Sequence, residues 1–282
     1  MSPSSEIQPG NPETIAFIGA GHMARSLVGG LVARGMPAAA IHVAEPVAEL
    51  RDAMQRAFGV AVFAEGADAV AGAATWVLAV KPQVLRSVCA ALAPVAQASR
   101  PLVVSVAAGI TAAQLERWLG GDVAVVRCMP NTPALLGAGV TGLYANPRVA
   151  ADGRQRAQAL LAAVGTTVWL DDEARMDAVT AVSGSGPAYV FLLAEAMQAA
   201  AIAEGLPAEA ARTLVLQTIL GAARMLTEGD ADAGELRRRV TSPGGTTQAA
   251  IEAFEAGGLR ELVAGAIAAA TLRGRQLSAA ND

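Results

Sequence analysis

Hydrophobic residues in the first 170 positions form short, β-branched runs that alternate with stretches of helical spacing. This alternation is typical of a parallel sheet whose strands are joined by crossover helices. The predicted strands cover residues 14–18, 41–44, 60–62, 75–80, 102–106, 123–128 and 166–170. The predicted helices between them cover residues 23–34, 47–58, 83–92 and 112–119. The pattern therefore predicts a doubly wound α/β domain.

The pattern changes after residue 171, where long segments rich in Ala and Leu replace the short strands. Their spacing predicts helices at residues 188–204, 208–228, 234–240, 246–256 and 259–277. The start of the chain is polar and rich in Pro and Ser, without the basic end and apolar stretch of a secretory signal. We therefore predict a flexible tail at residues 1–12, an α/β domain at 13–170 and an all-helical domain at 171–282.

The first helix of the second domain is more apolar than the surface of a monomer tolerates. Between residues 188 and 203, Glu195 is the only charged residue, and apolar residues occupy every face. A helix of this kind is buried on most sides. We expect the helical domain to pack against a second copy of itself as a homodimer. The alternative is a monomer whose helices are covered by the first domain.

Charge and composition exclude several classes of protein. Basic residues number 21 against 25 acidic ones and 4% of residues are aromatic, so the chain is poorly equipped to hold nucleic acid. Cys89 and Cys128, the only cysteines, lie in apolar runs, which favours a reducing compartment and excludes a cysteine-built metal site. No uninterrupted apolar run reaches the length of a membrane span. We predict a cytoplasmic protein with no metal, no nucleic-acid partner and no membrane anchor.

A glycine pair stands between the first predicted strand and the first predicted helix. Gly19 allows a tight turn, Gly21 lets a pyrophosphate approach the backbone, and Ala24 lets the helix press onto the sheet. The helix N-terminus at His22 and Met23 attracts phosphates. A tight turn without a ligand is the alternative, but strand, turn and helix together begin a βαβ unit. We therefore predict a Rossmann-like dinucleotide site.

Further residues of this site should follow later strands, because ligands of open α/β sheets lie beyond the carboxyl ends of the strands. Glu45 follows the second strand, where its carboxylate can accept hydrogen bonds from a ribose and repel a 2′-phosphate. A solvated loop carboxylate is the alternative, and Arg25 or Arg51 could approach such a phosphate. The turns after the fourth and sixth strands add Val80, Lys81, Pro82, Met129 and Asn131. Asn131 matches a nicotinamide carboxamide, although Pro and Asn are also common turn residues.

Two glycine-rich segments occur in the helical part. The first comprises Ser242, Gly244, Gly245, Thr246 and Thr247, directly before a predicted helix. Free backbone N–H groups and hydroxyls would there form a cradle for an anion, and an ordinary helix start with a threonine cap is the alternative. The second, at residues 183–187, we interpret structurally, with a serine as helix cap and a proline in the first turn.

Six ordered motifs are spread between residues 15 and 272. They are Phe17-Ile-Gly-Ala-Gly21, Val80-Lys-Pro-Gln83, Ser105-Val-Ala-Ala-Gly109, Met129-Pro-Asn-Thr-Pro-Ala134, Val182-Ser-Gly-Ser-Gly-Pro-Ala-Tyr-Val190 and Ser242-Pro-Gly-Gly-Thr-Thr247. Together they resemble the pyrroline-5-carboxylate reductase family. The resemblance implies reduction of 1-pyrroline-5-carboxylate to L-proline by NADPH or NADH, the last step of proline biosynthesis. It also implies an intertwined helical dimer, often assembled into a decamer, with the active site at the dimer interface.

By position, the resemblance assigns the turn at residues 242–247 to the substrate carboxylate. It assigns the hydroxyl of Thr247, the catalytic candidate, to the ring nitrogen. It places Asn131 and its neighbours beside the nicotinamide. The residues that it adds to the coenzyme site are Ala107, Ala108 and Gly109.

The sequence departs from the family pattern at four places. Arg237-Arg238 stands where Lys-Asp is common, and Asp232-Ala233-Gly234 stands where His-Pro-Gly is common. The arginine pair leaves the charge around the substrate open. His22 occupies a position more often Asn or Gln, and Glu45 replaces a small polar residue, so the family's usual readiness to take NADPH need not transfer.

The supply of proton donors fits an imine better than a ketone. Lys81 is the only lysine, and neither Lys nor His occurs after position 145. Reduction of a ketone needs a proton donor, whereas a cyclic imine can arrive protonated, so that orientation carries most of the catalysis. Glu195 is a further candidate acid, with a paired or interface-facing carboxylate as the other interpretation. Alternative functions are a β-hydroxyacid-type or other imine dehydrogenase, or a regulator that binds NAD(P)H without chemistry.

Overall fold

The computed structural model describes residues 13–281, and the predicted tail at residues 1–12 lies outside the described residues. The strands are β1 (Ile15–Ile18), β2 (Ile41–Ala44), β3 (Ala61–Phe63), β4 (Thr75–Leu78), β5 (Leu102–Ser105), β6 (Ala124–Met129), β7 (Gly139–Ala145) and β8 (Gly165–Trp169). The helices around them are α1 (His22–Ala33), α2 (Ala48–Phe58), α3 (Gly66–Val70), α4 (Pro82–Ser99), α5 (Ala112–Trp118), α6 (Ala151–Ala162) and α7 (Met176–Val179). The later helices are α8 (Gly186–Ala203), α9 (Ala208–Glu228), α10 (Ala233–Arg239), α11 (Thr246–Ala256) and α12 (Leu259–Ala280).

The eight strands form one sheet in the order β3-β2-β1-β4-β5-β6-β7-β8. Strands β1 to β6 are parallel, whereas β7 runs antiparallel to β6 and parallel to β8. The chain order reverses direction across β1 and β4, as in a doubly wound sheet. The predicted fold class is confirmed, although the sheet is not wholly parallel.

Strand β7, helix α6 and the short helices α3 and α7 were not predicted from the sequence, and α4 extends beyond its predicted end at residue 92. Strand β7 contains Gly139 and Gly142, and glycine inside a run weakens a strand pattern. Helix α6 mixes small and polar residues without a clear apolar stripe. Helix α4 continues to Ser99 through Pro94, a residue that usually ends a helix.

Helices cover both faces of the sheet. Successive side chains of a strand point to opposite faces, and the buried residues accordingly form two hydrophobic clusters. One contains Phe17 with Leu27 of α1 and Met54 of α2. The other contains Trp76 with Leu85 of α4 and Leu115 of α5. The two clusters are the core of the α/β unit.

The chain divides into two compact units, one formed by residues 13–184 with 270–281 and the other by residues 185–269. The first unit therefore includes residues 171–184 and the end of α12, which the sequence analysis placed in the helical domain. The reason is local packing: Arg127 of β6 pairs with Glu173 and Asp177, and a Cβ at Gly274 would lie 3.2 Å from Asp177 Oδ1.

Among residues 13–281, one helical segment, Glu173–Ala203, is long and apolar enough to cross a membrane by length and composition alone. An 18-residue stretch within it has a mean hydropathy of 1.3, and 6% of that stretch is buried. Glu195 and Gln198 interrupt this segment, so the expectation that no uninterrupted apolar run reaches the length of a span is not contradicted. The segment joins α7, the π-helical turn Thr180–Gly184 and α8 into one helical stretch. Length and hydropathy do not separate a membrane span from a helix that another protein surface covers.

Candidate functional site

The predicted coenzyme residues lie together at one edge of the sheet. Strands β1, β2, β4, β5 and β6 are parallel, and Ile18 at the end of β1 stands in register with Ala44 of β2 and Leu78 of β4. The turns that follow these strands therefore leave the sheet at the same edge. Ligands of open α/β sheets bind beyond that edge, at the point where the strand order reverses.

The glycine turn after β1 has the geometry that a pyrophosphate requires. Gly19 has φ +103°, and a Cβ there would lie 2.8 Å from the carbonyl oxygen of Ala79, so only glycine fits. Gly21 is the N-cap of α1, and no side chain caps this helix. A Cβ at Gly21 would meet no atom within 4 Å. Open space above uncapped N–H groups fits a phosphate.

His22 and Met23 are the first two residues of α1. Met23 packs partly buried against the first hydrophobic cluster, and Ala24 is buried in it. The His22 side chain is exposed, while its carbonyl oxygen accepts a hydrogen bond from Ser26 Oγ at 2.8 Å. The exposed His22 side chain therefore lies at the N-terminus of α1, beside the N-cap Gly21.

Both carboxylate oxygens of Glu45 are held by the backbone. Oε2 accepts a hydrogen bond from the Ala20 N–H at 3.0 Å, and Oε1 accepts one from the Val47 N–H at 3.1 Å. Arg51 Nη1 donates to the carbonyl oxygens of Glu45 and Pro46 at 2.7 and 2.8 Å. The alternative of a freely solvated carboxylate is therefore wrong, because Glu45 is bonded to the glycine turn itself.

The turn after β4 contacts the glycine turn and also carries an exposed lysine. A Cβ at Gly19 would lie 3.0 Å from Val80 Cγ1, so Val80 borders that turn. Lys81 is the N-cap of α4 without a side-chain cap bond, and Pro82 occupies its first turn. The Lys81 side chain is exposed at this edge.

Asn131 has a structural role beside the one proposed from sequence. Its Oδ1 accepts a hydrogen bond from the Val140 N–H at 3.0 Å, which ties the turn after β6 to the start of β7. The residue is 8% exposed. Met129, at the end of β6, packs against the π-helical turn, where a Cβ at Gly184 would lie 2.6 Å from Met129 Cε. A structural role and a contact with the nicotinamide are compatible for Asn131, because Oδ1 bonds the backbone while the Nδ2 amide group is still a donor.

The turn after β5 is partly covered by the end of the chain. Ala107 is buried and Ala108 is exposed, whereas Gly109 lies under Leu277, whose Cβ would be 3.4 Å from a Cβ at Gly109. Asn281 Nδ2 donates to the Gly109 carbonyl oxygen at 3.2 Å. The contact of Leu277 and Asn281 with this turn was not predicted, because a polar residue after a long helix does not indicate which part of the fold it will contact.

The second glycine turn, in the helical unit, is an uncapped helix start. Gly245 is the N-cap of α11 and no side chain caps the helix, so the alternative of a threonine cap is wrong. Gly244 has φ +71°, which favours glycine, and a Cβ there would meet nothing within 4 Å. Among residues 13–281, no hydrogen bond is made by the hydroxyls of Ser242, Thr246 and Thr247, which leaves them as donors at the turn.

Sequence reasoning missed Gln248, which holds this turn in shape. Its Oε1 accepts a hydrogen bond from the Gly244 N–H at 2.7 Å, and its Nε2 donates to Glu252 Oε1 at 2.7 Å. A signal was present, because a Gln three residues after an N-cap commonly bonds back to the preceding backbone. The fixed acceptor leaves the N–H groups of the first helical turn for a ligand.

The other residues singled out from the sequence are the serine motif, Glu195 and the two cysteines. Ser185 is the N-cap position of α8, with a proline in the first turn as expected but without the side-chain bond of a cap. Glu195 is exposed on α8. Burial raises the pKa of the Cys89 thiol to about 12 and raises the pKa of Cys128. Neither thiol is therefore a nucleophile near neutral pH.

The glycine turn on the sheet and the second turn in the helical unit define a nicotinamide-dependent oxidoreductase with a nucleotide domain and a helical domain. Family models match both parts: residues 173–277 match pyrroline-5-carboxylate reductase dimerisation, and residues 14–109 match NADP oxidoreductase coenzyme F420-dependent. The curated pyrroline-5-carboxylate reductase of Pseudomonas aeruginosa is 55% identical over 264 residues, which are 94% of this chain and 96% of that protein. The chain belongs to the pyrroline-5-carboxylate reductase family.

Solved structures agree with this assignment. The pyrroline-5-carboxylate reductase from Coxiella burnetii is 42% identical with a TM-score of 0.92, covering 95% of this chain and 99% of that one. A pyrroline carboxylate reductase from Plasmodium falciparum with NADP bound is 26% identical with a TM-score of 0.83, covering 94% of this chain and 98% of that one. The prediction of an all-helical dimerisation domain after the sheet is confirmed.

Proposed function

We propose that this chain reduces 1-pyrroline-5-carboxylate to L-proline with a hydride from NADPH or NADH, the last step of proline biosynthesis. Family membership over most of the chain supports the reaction. The observation that carries the chemistry is the pair of uncapped glycine turns, because each offers backbone N–H groups to an anion. One belongs to the sheet and suits a pyrophosphate; the other belongs to the helical unit and suits a carboxylate.

The coenzyme is proposed to bind along the carboxyl edge of the sheet. The turn from Gly19 to Ala24 would hold the pyrophosphate and Glu45 the adenosine ribose, while Asn131 would lie beside the nicotinamide. The other residues proposed to border the coenzyme are Val80, Lys81, Pro82, Ala107, Ala108, Gly109 and Met129. When bound, the coenzyme supplies the hydride.

The substrate is proposed to bind at the second glycine turn. The N–H groups of Thr246 and Thr247 and the hydroxyl of Ser242 would hold the carboxylate, with Gly244 keeping the approach open. The Gly245 N–H instead donates to the Ser242 carbonyl oxygen at 3.0 Å, which closes the turn. The Thr247 hydroxyl oxygen would accept a hydrogen bond from the protonated ring nitrogen. These contacts orient the ring, and orientation is the main contribution that fixed groups can make to hydride transfer.

The proton balance explains why the helical unit needs no lysine or histidine. The imine nitrogen enters protonated, the hydride adds to the carbon of the C=N bond, and its π electrons become the lone pair of a neutral amine. No group of the protein has to lose or gain a proton in that step. This fits a chain with neither Lys nor His after position 145.

We propose a homodimer through the helical unit, in a cytoplasmic protein without membrane contact. Large apolar side chains are exposed on this unit in a single chain, with Phe191 67%, Leu192 66% and Leu262 70% exposed. A second copy would cover such surface at a favourable free energy of about 25 cal/mol per Å². A decamer, which five such dimers would form, is the larger assembly that the family resemblance implies.

Product analysis tests the proposed reaction. Purified protein is mixed with racemic 1-pyrroline-5-carboxylate and either NADH or NADPH, the nicotinamide absorbance is followed, and the product is identified by mass spectrometry. We expect coenzyme oxidation that depends on substrate and yields proline in equal amount. Coenzyme binding without oxidation would overturn the proposal in favour of a regulator, and oxidation with other imines alone would redirect it to another imine reductase.

A further inference from the structure

We infer that Glu45 makes this chain select NADH over NADPH, through a carboxylate fixed where β2 ends beside the glycine turn. The inference rests on the proposed function, which leaves the choice of coenzyme open. At this place in a doubly wound sheet, an acidic residue accepts hydrogen bonds from the ribose 2′-hydroxyl, whereas coenzymes with a 2′-phosphate need a cation.

The Glu45 carboxylate is held in place from two sides. Its oxygens accept hydrogen bonds from the N–H groups of Ala20 and Val47, at 3.0 and 3.1 Å. Ala20 stands between Gly19 and Gly21, so the acid is bonded to the same turn that would carry the pyrophosphate. Hydrogen bonds between backbone donors and a carboxylate are stronger than neutral ones. Moving the carboxylate aside for a 2′-phosphate would break both.

The fixed carboxylate still has room for a hydroxyl. A carboxylate offers about four acceptor positions, and the two backbone N–H groups occupy two of them. The ribose hydroxyl is a donor and can use the others. A 2′-phosphate has mainly acceptor oxygens and a charge of about −1.5 to −2 near neutral pH, so its negative charge repels the carboxylate.

Each of the two arginines that could compensate has a partner other than the Glu45 carboxylate. Arg51 uses Nη1 for the carbonyl oxygens of Glu45 and Pro46. The Arg25 guanidinium lies over the Phe58 ring, 5.1 Å from its centroid. Among residues 13–281, no lysine or arginine forms an ion pair with Glu45. At separations of a few ångströms in a partly solvated site, the uncompensated repulsion weakens binding by about ten- to a hundredfold.

Binding of each coenzyme to the purified full chain tests the inference without requiring turnover. Isothermal titration with NADH and with NADPH gives the ratio of the two Kd values. We expect NADH to bind at least about tenfold more tightly. Glu45→Gln, which keeps the acceptor and the size but removes the charge, should reduce the ratio by about tenfold, mainly through tighter NADPH. Glu45→Ser gives a second, smaller replacement.

Glu49→Gln is the matched control. Glu49 is an exposed acid in the first turn of α2, so its loss changes the net charge equally but leaves the glycine turn intact. The ratio of the Kd values for NADPH and NADH should be the same in Glu49→Gln as in the unmodified chain. Equal or tighter binding of NADPH by the unmodified chain would overturn the inference, as would an unchanged ratio in both Glu45 variants or an equal shift in Glu49→Gln. Failure of the proposed function would look different, since the chain would then bind neither coenzyme or bind NADH without making proline.

Discussion

Arg127 Nη1 lies 3.1 Å from Glu173 Oε1 inside the first unit, with the arginine side chain 5% exposed and the glutamate 20% exposed. Nη2 lies 3.6 Å from Asp177 Oδ1. The same Glu173 oxygen accepts a hydrogen bond from the Ala112 N–H at 2.7 Å, at the start of α5. The pair therefore connects β6 and the turn before α5 to the segment that leads out of the first unit.

Removal of Arg127 should destabilise the first unit strongly. Arg127→Met keeps an apolar stem of similar length but leaves Glu173 and Asp177 without their counter-charge. Breaking a buried pair from one side costs about 3 to 5 kcal/mol. We expect the free energy of unfolding of the first unit to fall by about that amount. Urea denaturation, followed through the unfolding transition of this unit, measures it.

A surface pair provides the comparison. Arg224 pairs with Glu228 one helical turn away on α9, and both side chains are more than half exposed. Arg224→Met should leave the same transition nearly unchanged, because exposed pairs contribute little. If Arg127→Met and Arg224→Met lower the free energy of unfolding equally, the contacts of Arg127 with Glu173 and Asp177 do not stabilise the first unit.

The sequence predicts those parts of the fold in which one segment carries its own signal. The runs that became β1, β2 and β5 are short, apolar and bounded by turns, so their positions were predicted within a residue or two. Strand β7 was missed because its glycines hide the pattern and its partners are distant in sequence. The Arg127–Glu173 pair, which assigns residues 171–184 to the first unit, is likewise a long-range contact that periodicity does not encode.

The candidate site shows the same division. The glycines at 19, 21, 244 and 245 were predicted because each motif combines a turn with a helix start. The side chains that fix these turns were predicted less well. Glu45 was named but its bonds to Ala20 and Val47 were not foreseen, and Gln248 was missed although its spacing from the N-cap signalled it.

Thr247→Ala should slow turnover without preventing coenzyme binding. A hydroxyl bond to a charged partner is worth about 1.5 to 3 kcal/mol, which corresponds to a decrease of roughly ten- to two-hundredfold in kcat/KM. Thr247→Ser keeps the hydroxyl and should retain most of the activity. Steady-state kinetics with both variants check this. Full activity in Thr247→Ala would show that its hydroxyl does not bond the ring nitrogen, and a loss of many orders of magnitude would indicate a larger role.

Gln248→Ala should weaken substrate binding more than coenzyme binding. The change removes the acceptor of the Gly244 N–H, so the turn that would hold the carboxylate loses its fixed shape. A lost hydrogen bond of about 0.5 to 1.5 kcal/mol corresponds to a two- to thirteenfold increase, which we expect in the KM for 1-pyrroline-5-carboxylate.

Gln276→Ala is the control for Gln248→Ala. Gln276 lies on α12 and accepts a hydrogen bond from Arg273 at the surface. Its replacement should leave KM unchanged, and the Kd for NADH should be the same in both variants. An unchanged KM in Gln248→Ala would mean that the turn keeps its shape without this side chain.

A charge introduced into the exposed apolar surface of the helical unit should dissociate the dimer. Phe191→Glu and Leu262→Glu each place a carboxylate where a partner copy would exclude water, and burial of an unpaired charge is strongly unfavourable. Sedimentation velocity should therefore show a smaller species than for the unmodified chain. Leu136→Glu is the control, because Leu136 is 87% exposed but belongs to the first unit. If all three variants sediment like the unmodified chain, the helical surface is not the dimer interface.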